Sequence, residues 1–157
     1  MAPQLWLLRH GEAVPHESKP DADRELTPRG ERQAAAAGQG LARLGVEFDA
    51  CYTSPKVRAL DTARLACPAL NIEPQVADVL ADGFDRDDAL ELLLAHGDEA
   101  RVMVVGHDPS FTQVVHDLTG AAVDFKKGGV AAVRAVRTNG ELLVLLRPRE
   151  LESLARA

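Results

Sequence analysis

The chain has 157 residues, of which 46% are hydrophobic, and a formal net charge of -6 at pH 7. This composition excludes a disordered chain and predicts a single domain over residues 1–157. The acidic balance argues against general binding to nucleic acids or anionic membranes. The longest apolar run near the N-terminus, residues 5–8, is too short for a signal peptide or a membrane span. We therefore expect a cytoplasmic protein.

The first third of the chain predicts a strand, a polar connection and a helix. Residues 5–8 are typical of a short buried strand, and residues 12–26 are mostly polar. Thr27 and Pro28 then provide a helix N-cap and a first helical residue, and Gly45 is suited to end the helix. The predicted apolar face of this helix consists of Ala34, Ala37, Leu41 and Leu44.

The middle of the chain continues to alternate between strand and helix signals. Residues 50–53 predict a strand, after which Ser54-Pro55 begins a helix that ends at Pro68. Residues 75–79 predict a weaker strand. The next helix begins in an acidic turn at Asp85, and its predicted apolar residues are Leu90, Leu93 and Leu94.

The last third of the chain predicts one more strand and helix and then a hairpin of two strands. Residues 102–105 are all apolar and predict a buried strand, after which Asp108-Pro109 begins a helix. Residues 130–136 and 142–146 predict two strands joined through Asn139-Gly140, a strong hairpin signal. We therefore predict an α/β protein: a three-layer α/β/α sandwich whose mostly parallel, mixed sheet carries an antiparallel C-terminal hairpin.

Three of the predicted strands end in cationic or reactive groups. Ligands of parallel α/β sheets bind beyond the carboxyl ends of the strands, so we expect these groups to face one cleft. In chain order they are Arg9, His10 and Gly11, then Ser54 and Arg58, then Gly106 and His107.

Two guanidinium groups, two imidazoles and two helix N-termini suit a tetrahedral oxyanion, which we predict to be phosphate. Gly11 and Gly106 would let the backbone approach that ligand closely. A structural role is the ordinary interpretation of a lone histidine or arginine, but it would have to hold at three strand ends independently. His10 and His107 could also begin a zinc site. The neighbouring arginines would repel the ion, so we predict no metal and no cofactor.

Four sequence motifs resemble those of a known family. "LLRHGEA" is similar to the N-terminal Arg-His-Gly signature of the histidine phosphatase superfamily, also called the phosphoglycerate mutase-like superfamily. "LTPRGERQA", "YTSPKVRALDTA" and "VVGHDPSF" resemble its following helix start, its Ser-Pro-x-x-Arg-Ala-x-x-Thr-Ala segment and its second histidine. The motifs keep the family order over roughly residues 4–111. The short chain, "VGHDPSF" and the position of Arg24 most resemble SixA-type phosphohistidine phosphatases.

The resemblance implies a phosphoglycerate mutase-like fold and a metal-independent phosphatase. It makes His10 the nucleophile, which would become a phosphohistidine. It assigns Arg9 and Arg58 to the phosphoryl oxygens and makes His107 a further donor to them. The remaining expected substrate contacts are Gly11, Ser54 and, from the 12–26 segment, Arg24.

The chain departs from the family pattern at the general acid. Many members place a glutamate after the third strand, where this chain has "VLADGFDRDD" and offers Asp82, either as an acid or as an ordinary loop residue. Without a strong acid, alkoxide leaving groups would react slowly, whereas a phosphorylated imidazole can be protonated before it leaves. The predicted substrate is therefore phosphohistidine in a protein. The alternatives are a small phosphorylated molecule and, in a different class, a catalytically silent phosphate-binding module.

Other polar residues have open interpretations. Glu12 would orient Arg9 or a helix, or be solvated, and we favour a structural role. The 12–26 segment would be a lid, a protein-docking rim or a solvated connection. Lys126 and Lys127 in "DFKKGG" would attract an acidic partner or form a solvated turn. Outside the motifs lie His16, His96 and His116, expected at the surface or in the core, and Cys51 and Cys67, expected to be buried thiols.

Overall fold

The structure is a computed structural model that describes residues 2–136 and 139–157. The strands are β1 (Gln4–Arg9), β2 (Ala50–Thr53), β3 (Pro74–Val76), β4 (Arg101–Gly106), β5 (Val130–Val136) and β6 (Asn139–Leu146). The α-helices are α1 (Pro28–Arg43), α2 (Val57–Ala66), α3 (Arg86–Leu94), α4 (Ser110–Thr119) and α5 (Pro148–Arg156). None of the helices in this part of the chain is long and apolar enough to cross a membrane.

The six strands form one mixed sheet in the order β3-β2-β4-β1-β5-β6. β1 to β4 run parallel to one another, whereas β5 is antiparallel to both β1 and β6. This arrangement confirms the predicted mostly parallel sheet with an antiparallel C-terminal hairpin.

Side-chain alternation along β1 divides the core into two layers. Leu5 and Leu7 point into a core that α3 and α4 cover, while Trp6 and Leu8 point into a second core that α1, α2 and α5 cover. The three-layer α/β/α prediction is thus confirmed. The sequences of the parallel strands are largely continuous apolar runs because both faces of the sheet are buried.

The start of α1 follows the sequence signals, but its end and the start of α2 do not. Thr27 Oγ1 accepts from the Gly30 N–H at 3.1 Å, as an N-cap should. Leu44 was expected on the buried face but is 48% exposed, because the helix ends before it and the chain turns at Gly45. The prediction that α2 begins at Ser54-Pro55 is also wrong. The Ser54 N–H donates to Val105 O at 3.0 Å, which extends the sheet and delays the helix to Val57.

Two further boundaries and the exposure of one residue differ from the predictions. β3 ends at Val76 rather than residue 79, because residues Asp78–Leu80 form a 3₁₀ turn. Leu94, expected on the buried face of α3, is 57% exposed at the end of the helix. α4 begins at Ser110, although the Asp108 carboxylate still accepts from the Thr112 N–H at 2.9 Å near its start.

The C-terminal region holds the largest differences. Asn139-Gly140, expected to form the hairpin turn, lies in β6 and pairs with Val136 and Ala135. Positions 137–138 lie outside the described residues. α5 was not predicted at all, although Pro148 at its first position and the buried Leu151 are signals that could have revealed it.

Candidate active site

The sheet brings the three polar strand ends together because β4 lies between β2 and β1. Arg9 pairs with Gly106 and Thr53 with Val105, so the three strands end at the same level. The pairing continues past the strands, since the His10 N–H donates to Gly106 O at 3.0 Å. The structure therefore places the residues after all three strands at one edge of the sheet, as the sequence predicted.

His10 is held in one tautomer by the backbone. Its Nδ1 lies 2.7 Å from Gly11 O, a carbonyl that can only accept, so Nδ1 carries the proton and Nε2 carries the free electron pair. Only 6% of the residue is exposed. Burial, aided by the charges of Arg58 and Arg9, lowers the pKa of His10 to about 3. The ring is thus a neutral imidazole with a nucleophilic nitrogen at a defined position.

Arg58 points directly at that nitrogen from the first turn of α2. Its Nε donates to His10 Nε2 at 3.3 Å, and its Nη1 donates to the Asp21 carbonyl at 2.8 Å. Burial lowers the pKa of Arg58 from its usual value, but a guanidinium remains charged at any physiological pH. The structure thus places a forked cation against the face from which an anion would reach His10.

His107 is the second imidazole of the site, with its ring centroid 5.3 Å from that of His10. Its Nε2 lies 2.8 Å from Ser54 Oγ, which itself accepts from the Lys56 N–H at 3.2 Å. The Ser54 hydroxyl can donate to Nε2 or accept from it through its second lone pair, so this contact is compatible with a proton on either ring nitrogen. Nδ1 is buried and has no hydrogen-bond partner among the described residues. Burial and the charge of Arg58 lower the pKa of His107 to about 4.

Arg9 is fixed beside the site by other contacts. Its Nη1 donates to the carbonyl oxygen of Phe125 and lies 3.7 Å from Asp108 Oδ2. Its Nε is buried without a hydrogen-bond partner in the described part of the chain. The charge of Arg9 acts on His10 from the same strand end.

The two glycines of the strand ends have packing roles. A Cβ on Gly11 would lie 2.5 Å from Gly30 O of α1, and one on Gly106 would lie 2.8 Å from the Phe111 ring. Close helix packing, rather than approach to a ligand, therefore accounts for both glycines. The Gly11 N–H is already bonded to Thr62 Oγ1 at 3.1 Å, and Thr62 Oγ1 donates to Arg58 O at 2.7 Å. Thr62, to which we assigned no role, thus connects α2 to the segment that carries His10.

The 12–26 segment folds over the site and contributes Asp21, a residue that the sequence analysis missed. The Asp21 carboxylate lies 3.4 Å from Arg58 Nη2 and accepts from Arg24 Nη1 at 3.1 Å. Arg24 is itself buried and donates through Nε to Val14 O. The hydrogen bonds of Arg24 are thus made to the 12–26 segment itself, which they hold in place, and not to His10. The sequence signal for the pair of Asp21 and Arg24 was their spacing of three residues.

Lys56 links two acidic residues at the rim of the site. Its Nζ donates to Asp21 Oδ2 and to Asp82 Oδ1, each at 2.9 Å. The contacts of Asp21 with Lys56, Arg58 and Arg24, above all the one with Lys56, hold the pKa of Asp21 well below its usual range. The Asp82 side chain is 84% exposed. Lys56 lies within the motif "YTSPKVRALDTA", but its partners could not be read from the sequence because they are distant in the chain.

The other polar residues in question have structural partners. Glu12 Oε2 accepts from Thr27 Oγ1 at 2.7 Å, which ties it to the start of α1. His96 Nε2 lies 2.6 Å from the Tyr52 hydroxyl, and His16 contacts Arg24. Cys51 and Cys67 are buried free thiols. In the described ranges, no three His, Cys, Asp or Glu side chains form a group that could hold a metal ion.

The two neutral histidines should make the free energy of unfolding depend on pH. Their folded-state pKa values of about 3 and about 4 lie below the value near 6.5 of a histidine in an unfolded chain. The stability they contribute is therefore complete above pH 6.5 and is lost as the pH falls toward 4. We expect the free energy of unfolding to decrease between pH 7 and pH 5, by at most about 1.4 kcal/mol per pH unit for each histidine.

Urea denaturation at both pH values measures this decrease. His107→Gln should show a shallower pH dependence than the wild type, while His116→Gln, at an exposed position of α4, should match the wild type. Equal slopes in all three proteins would contradict the assignment of neutral buried histidines.

Comparisons with known proteins agree with this geometry. Residues 5–84 match the model of the histidine phosphatase superfamily (branch 1). An uncharacterized protein from Picosynechococcus sp. is 32% identical over 162 residues, covering 94% of this chain and 98% of the relative.

Solved structures show the same similarity over most of the chain. The protein histidine phosphatase SixA complexed with tungstate superimposes with a TM-score of 0.83 at 26% identity, covering 94% of this chain and 99% of that one. A phosphoglycerate mutase from Bacillus anthracis superimposes with a TM-score of 0.75 at 14% identity, covering 99% and 97% of the two chains, and this likeness concerns the fold alone.

Proposed function

Because this chain belongs to the histidine phosphatase superfamily (branch 1) and is SixA-like, we propose that it is a metal-independent phosphatase that dephosphorylates phosphohistidine in a protein. The observation that carries this proposal is the fixed tautomer of His10, whose Nε2 electron pair lies beside Arg58. Likeness to a protein histidine phosphatase supports the choice of substrate class.

In the first step, His10 Nε2 attacks the phosphorus atom of the substrate. The bond between phosphorus and Nε2 forms while the bond between phosphorus and the substrate imidazole breaks. Arg58 and Arg9 hold the phosphoryl oxygens, and a ring N–H of His107 donates a hydrogen bond to them as charge shifts. The Gly11 carbonyl keeps its hydrogen bond with Nδ1 of His10, which stabilises the positive charge that develops on the ring.

In the second step, water attacks the phosphohistidine. The new P–O bond forms as the bond to Nε2 breaks, and the proton of the water passes to a phosphate oxygen. His10 regains its electron pair, and inorganic phosphate leaves. The arginines neutralise the phosphoryl charge throughout and neutral His107 donates a hydrogen bond to it, so no step of this scheme uses a metal.

The carboxylates at the rim are poorly placed to give a proton to a leaving group. Asp21 and Asp82 each accept a hydrogen bond from Lys56 and do not act as donors in these contacts. A leaving group that already carries its own proton is therefore favoured. A phosphorylated imidazole that is protonated at its other nitrogen leaves as a neutral ring, whereas a sugar alkoxide requires a proton from an acid. This difference supports phosphohistidine over sugar phosphates.

A substrate panel tests the proposal. We expect kcat/KM for a histidine-phosphorylated protein to exceed that for sugar phosphates by about 100-fold or more, the usual contribution of a general acid. Rapid acid-free quenching with radiolabelled substrate should trap a phosphoenzyme on His10. Higher kcat/KM on sugar phosphates would assign the chain to small-molecule phosphomonoesters, and the absence of turnover on every substrate would indicate a silent phosphate-binding module.

Asp21 should compete with the phosphoryl group for Arg58 and Lys56. Asp21→Asn removes the carboxylate charge from this cluster and leaves both cations available to an anion. We expect tungstate and inorganic phosphate to bind the variant roughly tenfold more tightly, which corresponds to one charge-assisted hydrogen bond. Competitive inhibition constants measure this effect.

Asp23→Asn, at an exposed position of the 3₁₀ turn formed by Asp21–Asp23, is the matched control and should leave both constants unchanged. Weaker anion binding in Asp21→Asn would contradict the competition and would show that Asp21 instead positions Arg58.

A further inference from the structure

A second cluster of cations lies next to the candidate active site. It lines an open cleft of about 590 Å³ between the start of α1, the turn before β5 and the start of α5. The chain as a whole has a net charge of -6, so this concentration of positive charge is local. The cations of this basic cleft are Arg9, Arg29, Lys126, Lys127, Arg147 and Arg149.

The basic cleft is connected directly to the segment that carries the nucleophile. Gly128 donates its N–H to the carbonyls of Arg9 and His10, at 3.0 and 2.9 Å, and the Arg9 N–H donates to Gly129 O at 3.0 Å. The turn with Lys126 and Lys127 is therefore hydrogen-bonded to the backbone of the active site. Because Arg9 lines the cleft and directly precedes His10, the cleft lies against the segment that carries the nucleophile.

The cations of the cleft are available for an external partner. Arg29, Lys126 and Arg147 pair with neighbouring carboxylates, but their side chains are 68%, 53% and 52% exposed. Exposed ion pairs of this kind contribute little to stability and are easily exchanged. Lys127 has no ion-pair partner among the residues that the structure describes. The carboxylates Glu12 and Asp124 in the lining leave the cleft with a net positive charge.

We propose that the basic cleft docks an acidic segment that flanks the phosphohistidine of the protein substrate. This inference rests on the proposed function and adds the chemistry by which the substrate is selected. The cations come from three separate chain segments around an open cleft, which suits several carboxylates along an extended surface. Small-molecule pockets, in contrast, are lined mainly by apolar groups. Complementary charge across such a surface accelerates association and selects among partners.

Two phosphohistidine peptides with the same length test the docking. One carries glutamates on both sides of the phosphohistidine, and the other carries glutamines. At low salt we expect the wild type to have a roughly tenfold higher kcat/KM on the glutamate peptide, with a preference that declines as salt increases.

The double variant Lys127→Glu/Arg149→Glu should lose this preference. Arg43→Glu/Arg64→Glu changes the net charge by the same amount at exposed positions of α1 and α2 away from the cleft, and it should keep the preference. The ratio of kcat/KM for the two peptides is the readout, so a general loss of folding in one variant does not imitate the effect. Equal kcat/KM for both peptides in the wild type would overturn the docking.

Binding of the unphosphorylated peptides separates this inference from the proposed function. Their Kd for the wild type, measured by fluorescence anisotropy, requires no catalysis, and the glutamate peptide should bind about tenfold more tightly. That result would uphold the docking even if the panel assigned a different phosphoryl substrate. Tight pyrophosphate binding that the double variant loses, without discrimination between the peptides, would overturn the docking and assign the cleft to a small anion.

Discussion

His10→Ala is expected to lower kcat by about 10⁴-fold or more, the largest effect of any substitution in this chain. The variant removes the imidazole whose Nε2 accepts from Arg58 Nε and whose ring centroid lies 5.3 Å from that of His107. Without that nitrogen, no phosphoenzyme can form. Single-turnover kinetics with radiolabelled substrate should show neither burst nor labelled protein.

The matched control for this experiment is His116→Ala. His116 is a half-exposed histidine on α4, and its removal should leave kcat and the labelled intermediate unchanged. Because His10 is buried, near-UV circular dichroism of His10→Ala should confirm that tertiary packing is retained. Wild-type turnover in a folded His10→Ala protein would refute the phosphohistidine mechanism.

Arg58→Ala is expected to lower kcat/KM by about 10³-fold, in the range found when a preorganised donor to a reacting oxyanion is removed. Arg58 is 6% exposed and contacts His10 through Nε, so its guanidinium is already oriented before an anion arrives. Arg58→Lys keeps the charge but loses the fork that matches two phosphoryl oxygens, and we expect it to recover only part of the loss.

Arg64→Ala is the matched control, since Arg64 is exposed on the same helix and lies more than one turn further along. Its kcat/KM should equal that of the wild type. Steady-state kinetics measure the loss of kcat/KM. Tungstate inhibition measures the loss of anion binding, because an enzyme without the guanidinium fork should also bind tungstate more weakly. Full activity in Arg58→Lys would reduce the role of Arg58 to that of a simple charge.

Much of the site could be predicted because its main parts follow strands directly. The position of a side chain after a buried parallel strand depends on local apolar runs, and these are visible at residues 5–8, 50–53 and 102–105. Parallel strands share an edge at their carboxyl ends, so local signals alone placed His10, Ser54 and His107 together. The four motifs then added the resemblance that the comparisons confirm at the level of the superfamily.

Errors in the prediction arose where an element ends or where a turn competes with the sheet. Ser54-Pro55 has the residue types of a helix start, but a sheet hydrogen bond to Val105 holds Ser54 extended. Asn139-Gly140 has the residue types of a turn, but pairing with β5 includes both residues in β6. In each case pairing within the sheet outweighed a local preference, which amounts to about 1 kcal/mol or less.

Local signals along the chain were sufficient to predict the layers of the fold, the strand ends that carry the reactive groups and the family to which the motifs point. Which charges meet became visible only in the folded structure. Asp21 lies 35 residues from Lys56 and 37 from Arg58 along the chain, and Lys56 lies 26 residues from Asp82, yet all of them are in contact at the rim. The folded structure also gathers the basic cleft from three segments. Such pairings depend on packing between distant elements, which no periodicity or local motif records.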